Sequence, residues 1–214
     1  MRPIQFKVFG YKTEIQYSFL FLALFYWMNG MSRGHPLWFD LTFIAVVFIS
    51  IIVHELGHAF LITNRGFQVN RIALHGLGGD VTGNHGRAKP QDRLLISIAG
   101  PAAGLALGLP FLILQLLGIF DASYVIATVI TMFVWVNIIW SLFNLLPMLP
   151  LDGGHAFSSL LKMFRVSKPL SKSSYLGIIT GIIVMIIGIR MGRFFLAFIG
   201  GYCAYYSYRQ YVHI

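Results

Sequence analysis

Between Leu41 and Thr63 the chain is apolar or small at nearly every position, with one interruption: His54-Glu55-Leu56-Gly57-His58. A run of that length is read as a helix that crosses a membrane, because a backbone without water must satisfy its own hydrogen bonds. Ionisable side chains are expensive at that depth and mark functional sites by default. On a helix His54 and His58 are one turn apart and project from the same face. Two imidazoles so placed can share a metal ion such as zinc, with Zn–N bonds of about 2.0–2.1 Å. Glu55 occupies the adjacent face, where it can exchange a proton with water at the metal. This is the H-E-x-x-H arrangement, whose chemistry is metal-assisted amide hydrolysis.

The rest of the composition agrees with a membrane setting. Of 214 residues, 57% are hydrophobic and only 11% charged, which points to an integral membrane protein with no sizeable extramembrane domain. The net charge of +9 does not imply nucleic acid. The basic residues stand at the ends of apolar runs, where they set topology and meet anionic lipid. The lone cysteine, Cys203, excludes an intramolecular disulfide and any multi-cysteine metal site. No short apolar core followed by a small-residue cleavage site opens the chain, so no removable signal peptide is expected.

Taken in order, the hydropathy predicts an all-α polytopic protein of about six transmembrane helices in a single domain, 1–214. Residues 1–12, with Arg2, Lys7 and Lys12, read as a basic leader at the membrane surface. A first span follows from Thr13 to about Met31, and the span bearing the two histidines ends near Thr63. Residues 66–85 alternate in short segments around Gly76-Leu77-Gly78-Gly79 and predict a small β-hairpin between the second and third spans. Its exposed edge could hold an extended peptide, or it could be an ordinary connection. His75 and His85 in this loop read as solvated or loosely packed.

The third span, Arg93 to Leu117, carries Gly100, Gly104 and Gly108 at four-residue spacing, which lets helices approach closely; the histidine helix is the expected partner. After a turn over Gly118 to Ala122, a fourth span runs to about Leu146. Pro147, Pro150 and Gly153-Gly154 then interrupt regular helix at membrane depth, and such backbone persists only where protein covers it or it lines a cavity. Asp152 lies there. A short helix over Gly154–Phe164 precedes a fifth span, Ser173 to Ile189, and a sixth, Phe194 to about Tyr208. Gly177 and Gly181 are the only hint of an oligomer.

Six spans put both ends on one side. Thirteen of the sixteen lysines and arginines fall on that side and only Arg33, Arg190 and Arg193 on the other, so the first side is cytoplasmic. The histidine helix and the Asp152 loop both approach it. A catalytic zinc takes three protein ligands and keeps a fourth position open. Among the seven carboxylates, Asp152 alone combines depth, unwound backbone and the correct side. Its other reading is an N-cap for the helix that follows. A non-catalytic zinc-binding membrane protein or a transporter is the competing class, but a transporter needs polar residues along several spans, and spans one, five and six offer almost none. A prenyl-protein protease would need a later glutamate ligand, and no Glu follows Glu55.

At His54-Glu55-Leu56-Gly57-His58, Gly100-Pro101-Ala102-Ala103-Gly104, and Asn144-Leu145-Leu146-Pro147 with Pro150-Leu151-Asp152-Gly153-Gly154, the sequence resembles the site-2 protease family of intramembrane zinc metalloproteases. The resemblance covers most of residues 41–160, the expected catalytic core. It implies one zinc ion held by His54, His58 and Asp152, Glu55 as the base, and Asn144 near the substrate or the reacting water. It further implies a transmembrane protein substrate, such as a membrane-anchored transcription-factor precursor or anti-sigma factor, and a place in the prokaryotic cell (inner) membrane. Gly104 stands where many members carry Asn. No PDZ insert fits between the second and third spans and no CBS domain follows the last, so a minimal core form is expected.

Overall fold

The computed structural model describes residues 3–119 and 123–212. Arg2 of the expected leader and residues 120–122 of the expected turn, Asp121 among them, lie outside the described residues. Among the described residues the chain is mostly helical but not all-α, with four strands and seven helices. It divides into two compact units, one formed by residues 1–86 and 102–141 and the other by 87–101 and 142–214.

In the first unit the N-terminal residues, read from the sequence as a basic leader at the membrane surface, are built into a sheet. They form β1 (Ile4–Val8) and β2 (Tyr11–Ile15), paired antiparallel from Ile4↔Ile15 to Val8↔Tyr11. The two-residue connection Phe9-Gly10 has φ of 47° and 87°, the mirror-image turn whose twist suits a hairpin. The alternation in Ile-Gln-Phe-Lys-Val is a strand's period of two, which the basic charge had obscured. Helix α1 (Tyr17–Ser32) therefore starts later than the first span was expected to.

Helix α2 (Leu37–Asn64) carries the histidines, and Gly66 stops it at φ 81°, with Phe67 N–H donating to Ile62 O at 3.1 Å. Strands β3 (Val69–His75) and β4 (Gly78–Gly83) follow, before the next helix. They do not stand alone. β2 pairs parallel with β3 at Thr13↔Ile72, Glu14↔Ala73 and Ile15↔Leu74, giving one sheet of order β1-β2-β3-β4. A three-way ionic contact ties that pairing together. Glu14 accepts from Arg71 at 2.7 Å and from Gln5 at 3.0 Å, and Lys12 stands 3.2 Å away. The Arg71 hydrogen bond, then that of Lys12, hold the Glu14 carboxyl below the usual carboxylate range. Beneath the sheet, Leu74 packs with Phe19 and Ile51 into a buried cluster walled by Val47, Phe48, Ile52 and Trp140.

Helices α3 (Pro90–Leu116) and α4 (Tyr124–Asn144) each pass from one unit into the other. Within the first unit the glycines of α3 face α4, not the histidine helix. A Cβ at Gly104 would fall on Ser141 Oγ, and one at Gly108 would lie 3.1 Å from Asn137 Cβ. The small residues thus serve a neighbour that hydropathy could not single out.

In the second unit, α4 ends at Asn144 and the chain unwinds through Pro147 and Pro150 before α5 (Asp152–Met163). Protein covers the unwound backbone. Ser207 Oγ accepts from Leu149 N–H at 3.2 Å and donates to Leu149 O at 3.3 Å, and Ser173 Oγ donates to Gly154 O at 3.0 Å. Gly153 and Gly154 lie so close to the backbone of Leu145, Leu146 and Met148 that side chains there would collide with it. Helices α6 (Pro169–Arg190) and α7 (Phe194–Val212) close the unit as an antiparallel pair. Gly177 faces Ser207 and Gly181 faces Gly200 and Ala204, so the glycine pair that hinted at an oligomer is used within the chain.

Among the described residues, four helices are long and apolar enough to cross a membrane: α2, α3, α4 and α6. α1 has 16 residues, about 24 Å of helix against a hydrocarbon layer of about 30 Å. α7 is diluted by Tyr202, Tyr205, Tyr206, Tyr208 and Tyr211.

Candidate metal centre

The buried residues of α2 include Val46, Ser50, His54, His58 and Ile62, one every four positions, with Ile51, Glu55 and Ala59 alongside. That stripe buries the motif inside the protein. His54, Glu55 and His58 are only 3%, 4% and 8% exposed. The Nε2 atoms of the two histidines face each other at 3.3 Å, with the rings nearly perpendicular at 77°. Two ligands of a tetrahedral zinc with bonds of about 2.05 Å are separated by roughly 3.3–3.4 Å. The observed spacing is compatible with two donors to one such ion.

The surrounding unit holds this helix by polar contacts rather than by apolar packing alone. Asn137 on α4, 1% exposed, donates from Nδ2 to Ser50 Oγ at 2.9 Å, one turn before His54 on the same stripe. Asn137 was not singled out in the sequence, although a polar amide inside an apolar span was the available signal. Gly79 at the start of β4 lies directly against Glu55. No pattern of neighbouring residues announces that contact, because it joins a strand to a helix more than twenty positions away.

Asp152 belongs to the second unit. It is half-buried and is the first residue of α5, whose N-cap is Leu151 with extended backbone (φ −66°, ψ 159°). The capping position is thus filled by Leu151, not by Asp152. Asn144, also half-buried, ends α4. At the end of β3, His75 Nδ1 accepts from Leu77 N–H at 3.2 Å and its Nε2 lies 3.8 Å from Asp80.

An apolar multi-helix chain with a buried histidine pair and an adjoining glutamate defines an integral membrane protein of the metal-dependent hydrolase type. The chain belongs to peptidase family M50, whose model matches residues 42–122 and 117–188. It is 27% identical over 187 residues to a zinc metalloprotease of Methanocaldococcus jannaschii, covering 86% of this chain and 53% of that protein. It is 36% identical over 161 residues to the protein Rip3 of Mycobacterium tuberculosis, covering 69% and 40% of the two. With stage IV sporulation protein FB of Bacillus subtilis the identity is 24% over 197 residues, covering 86% and 64%. The chain thus spans about half the length of the relatives it matches. Its fold is that of the site-2 protease from Methanocaldococcus jannaschii, with a TM-score of 0.71, 21% identity and coverage of 98% of this chain and 95% of that one. The site-2 protease resemblance holds at the level of family, and the histidine pair offers donor atoms to a metal ion.

Proposed function

We propose that this chain is a zinc metalloendopeptidase that cleaves the transmembrane segment of a membrane-anchored protein. The observation that carries the reading is the buried His54–His58 pair, at a spacing compatible with two donors to one zinc ion, with Glu55 beside it on an apolar helix. Asp152 is the third ligand in this proposal. Two imidazoles and one carboxylate, each offering one donor atom, make a catalytic zinc set with a fourth position left for water or substrate. Both stretches fall within the family match.

A bound zinc ion supplies Lewis acidity, polarising the scissile carbonyl and acidifying water. The chain's own groups do the rest. Glu55 takes the proton from the attacking water and returns it to the departing amide nitrogen. Its burial keeps bulk water from competing for that proton. Asn144 binds the substrate backbone near the scissile bond. A helical substrate hides its carbonyls in its own hydrogen bonds, so it must unwind first. β4 is the last strand of the sheet, and its outer edge can pair with the extended segment by strand addition.

In the same proposal α1 and α7 join the four longer helices as six spans of one protease domain in a prokaryotic cell membrane. The ends of the chain and the mouth of the site face the cytoplasm, where the lysines and arginines concentrate and meet anionic lipid. The test pairs metal content with cleavage in detergent-purified protein and a single-span model substrate. Zinc near one per chain, with cleavage abolished in Glu55→Gln and zinc weakened in Asp152→Ala, supports the reading. Zinc bound by a wild type that cleaves no span assigns the chain to zinc-binding membrane proteins without catalysis.

A further inference from the structure

Two glycines open β4, and they are glycines for different reasons. Gly78 has φ 134°, a backbone conformation that L side chains rarely adopt. Gly79 has no such need. It lies in ordinary strand backbone paired with Leu74, where any residue fits. What forbids a side chain there is a neighbour. A Cβ at Gly79 would stand 2.5 Å from Cγ of Glu55, 2.6 Å from its Oε1 and 2.7 Å from its Cδ, all inside the 3.0 Å that real Cβ contacts essentially never breach.

The collision involves more than the mobile tip of the glutamate, since Cγ is the nearest atom. Glu55 is also enclosed, so it cannot swing into solvent. Strand β4 is held in turn by its ladder with β3, from Val69↔Gly83 to His75↔Gly78, and β3 is anchored through buried Ile72, Ala73 and Leu74. A methyl group at position 79 therefore meets a fixed strand on one side and an enclosed carboxylate on the other. The softer partner is the Glu55 side chain, which must leave its present rotamer.

We propose that Gly79 is a positioning residue, its missing side chain being the space in which the Glu55 carboxylate is held for proton transfer. The proposal rests on the reading of Glu55 as the base, and its test separates the two. Gly79→Ala, Glu55→Ala and the double variant are compared in unfolding measurements on the zinc-loaded protein. Gly79→Ala should destabilise the wild type and cost nothing in the Glu55→Ala background, where Cγ and the carboxylate are gone. In cleavage of the single-span substrate, Gly79→Ala should lower kcat at least tenfold with KM and zinc content unchanged. Lys7→Ala, exposed on β1 at the opposite edge of the sheet, should leave all three as they are.

Gly79→Ala that destabilises both backgrounds equally overturns the proposal. So does Gly79→Ala with wild-type kcat. If Gly79→Ala fails to fold, recovery of a folded, zinc-binding protein by adding Glu55→Ala supports the proposal, and failure to recover overturns it. The coupling present in a wild type that cleaves nothing leaves Glu55 seated by Gly79 and removes only the hydrolase reading, and with it the catalytic half of the proposal.

Discussion

Removing the hydroxyl of Ser207 tests how the unwound segment before Asp152 is held. Ser207 is fully buried on α7, and its Oγ serves both polar groups of Leu149, the N–H at 3.2 Å and the C=O at 3.3 Å. Both bonds are longer than usual, about 2.9–3.0 Å for N–H···O and about 2.7–2.8 Å for O–H···O, so each adds little by itself. The cost of Ser207→Ala comes from what it leaves behind, two buried backbone groups without a partner, at about 1–3 kcal/mol for each such group. Weak bonds and some local relaxation favour the low end, so about 2 kcal/mol is expected for the pair, or about 30-fold in the unfolding equilibrium. Ser174 on α6 supplies the control. It too is fully buried, but its Oγ has no hydrogen-bond partner among the described residues, so Ser174→Ala discards an unsatisfied group and should be neutral or stabilising. The assay is equilibrium unfolding of the two variants in the same detergent, followed by zinc titration. Ser207→Ala should also weaken zinc, because the loosened backbone leads within three residues to Asp152. Equal, small effects from the two serines would refute the argument.

Three further outcomes follow from the same geometry. Because the folded Glu14 carboxyl is held below its ordinary value by Arg71 and Lys12, its contribution to stability is complete above an ordinary carboxylate pKa of about 4.3 and fades as pH falls through the lower folded value. Glu14→Gln should lower stability at neutral pH and flatten the acid limb of the unfolding curve. Gly181→Leu should separate α6 from α7, since even a Cβ there would lie 2.7 Å from Ala204 N and 2.8 Å from Gly200 O; thermal unfolding should drop by several degrees or the protein should fail to accumulate. Chelation of zinc should lower the unfolding temperature of the wild type but change that of His54→Ala/His58→Ala little, because a ligand that binds only the folded state stabilises it by mass action.

What could be read from the residue order is what depends on near neighbours. The four-residue spacing of His54 and His58 becomes one helical face wherever the helix stands, and the apolar run around it demands a membrane helix. The halt at Pro147, Pro150 and Gly153-Gly154 announces irregular backbone just as locally. The breaks in hydropathy also located the later helices to within a few residues. Pairing and facing were another matter. Alternation in residues 4–15 marks strands, but nothing local says that β2 lies parallel to β3, with Glu14 on Arg71 across 57 positions. Glycines at 104 and 108 announce close approach without naming α4 as the partner, and those at 177 and 181 suggested a second copy until α7 filled their groove. Gly79 reads as a turn residue until Glu55 is found in the space of its missing side chain. The period of a helix or strand is a property of the backbone and is printed in every few residues. The identity of a distant neighbour is decided by which faces can be buried together, and only the tertiary structure makes that choice.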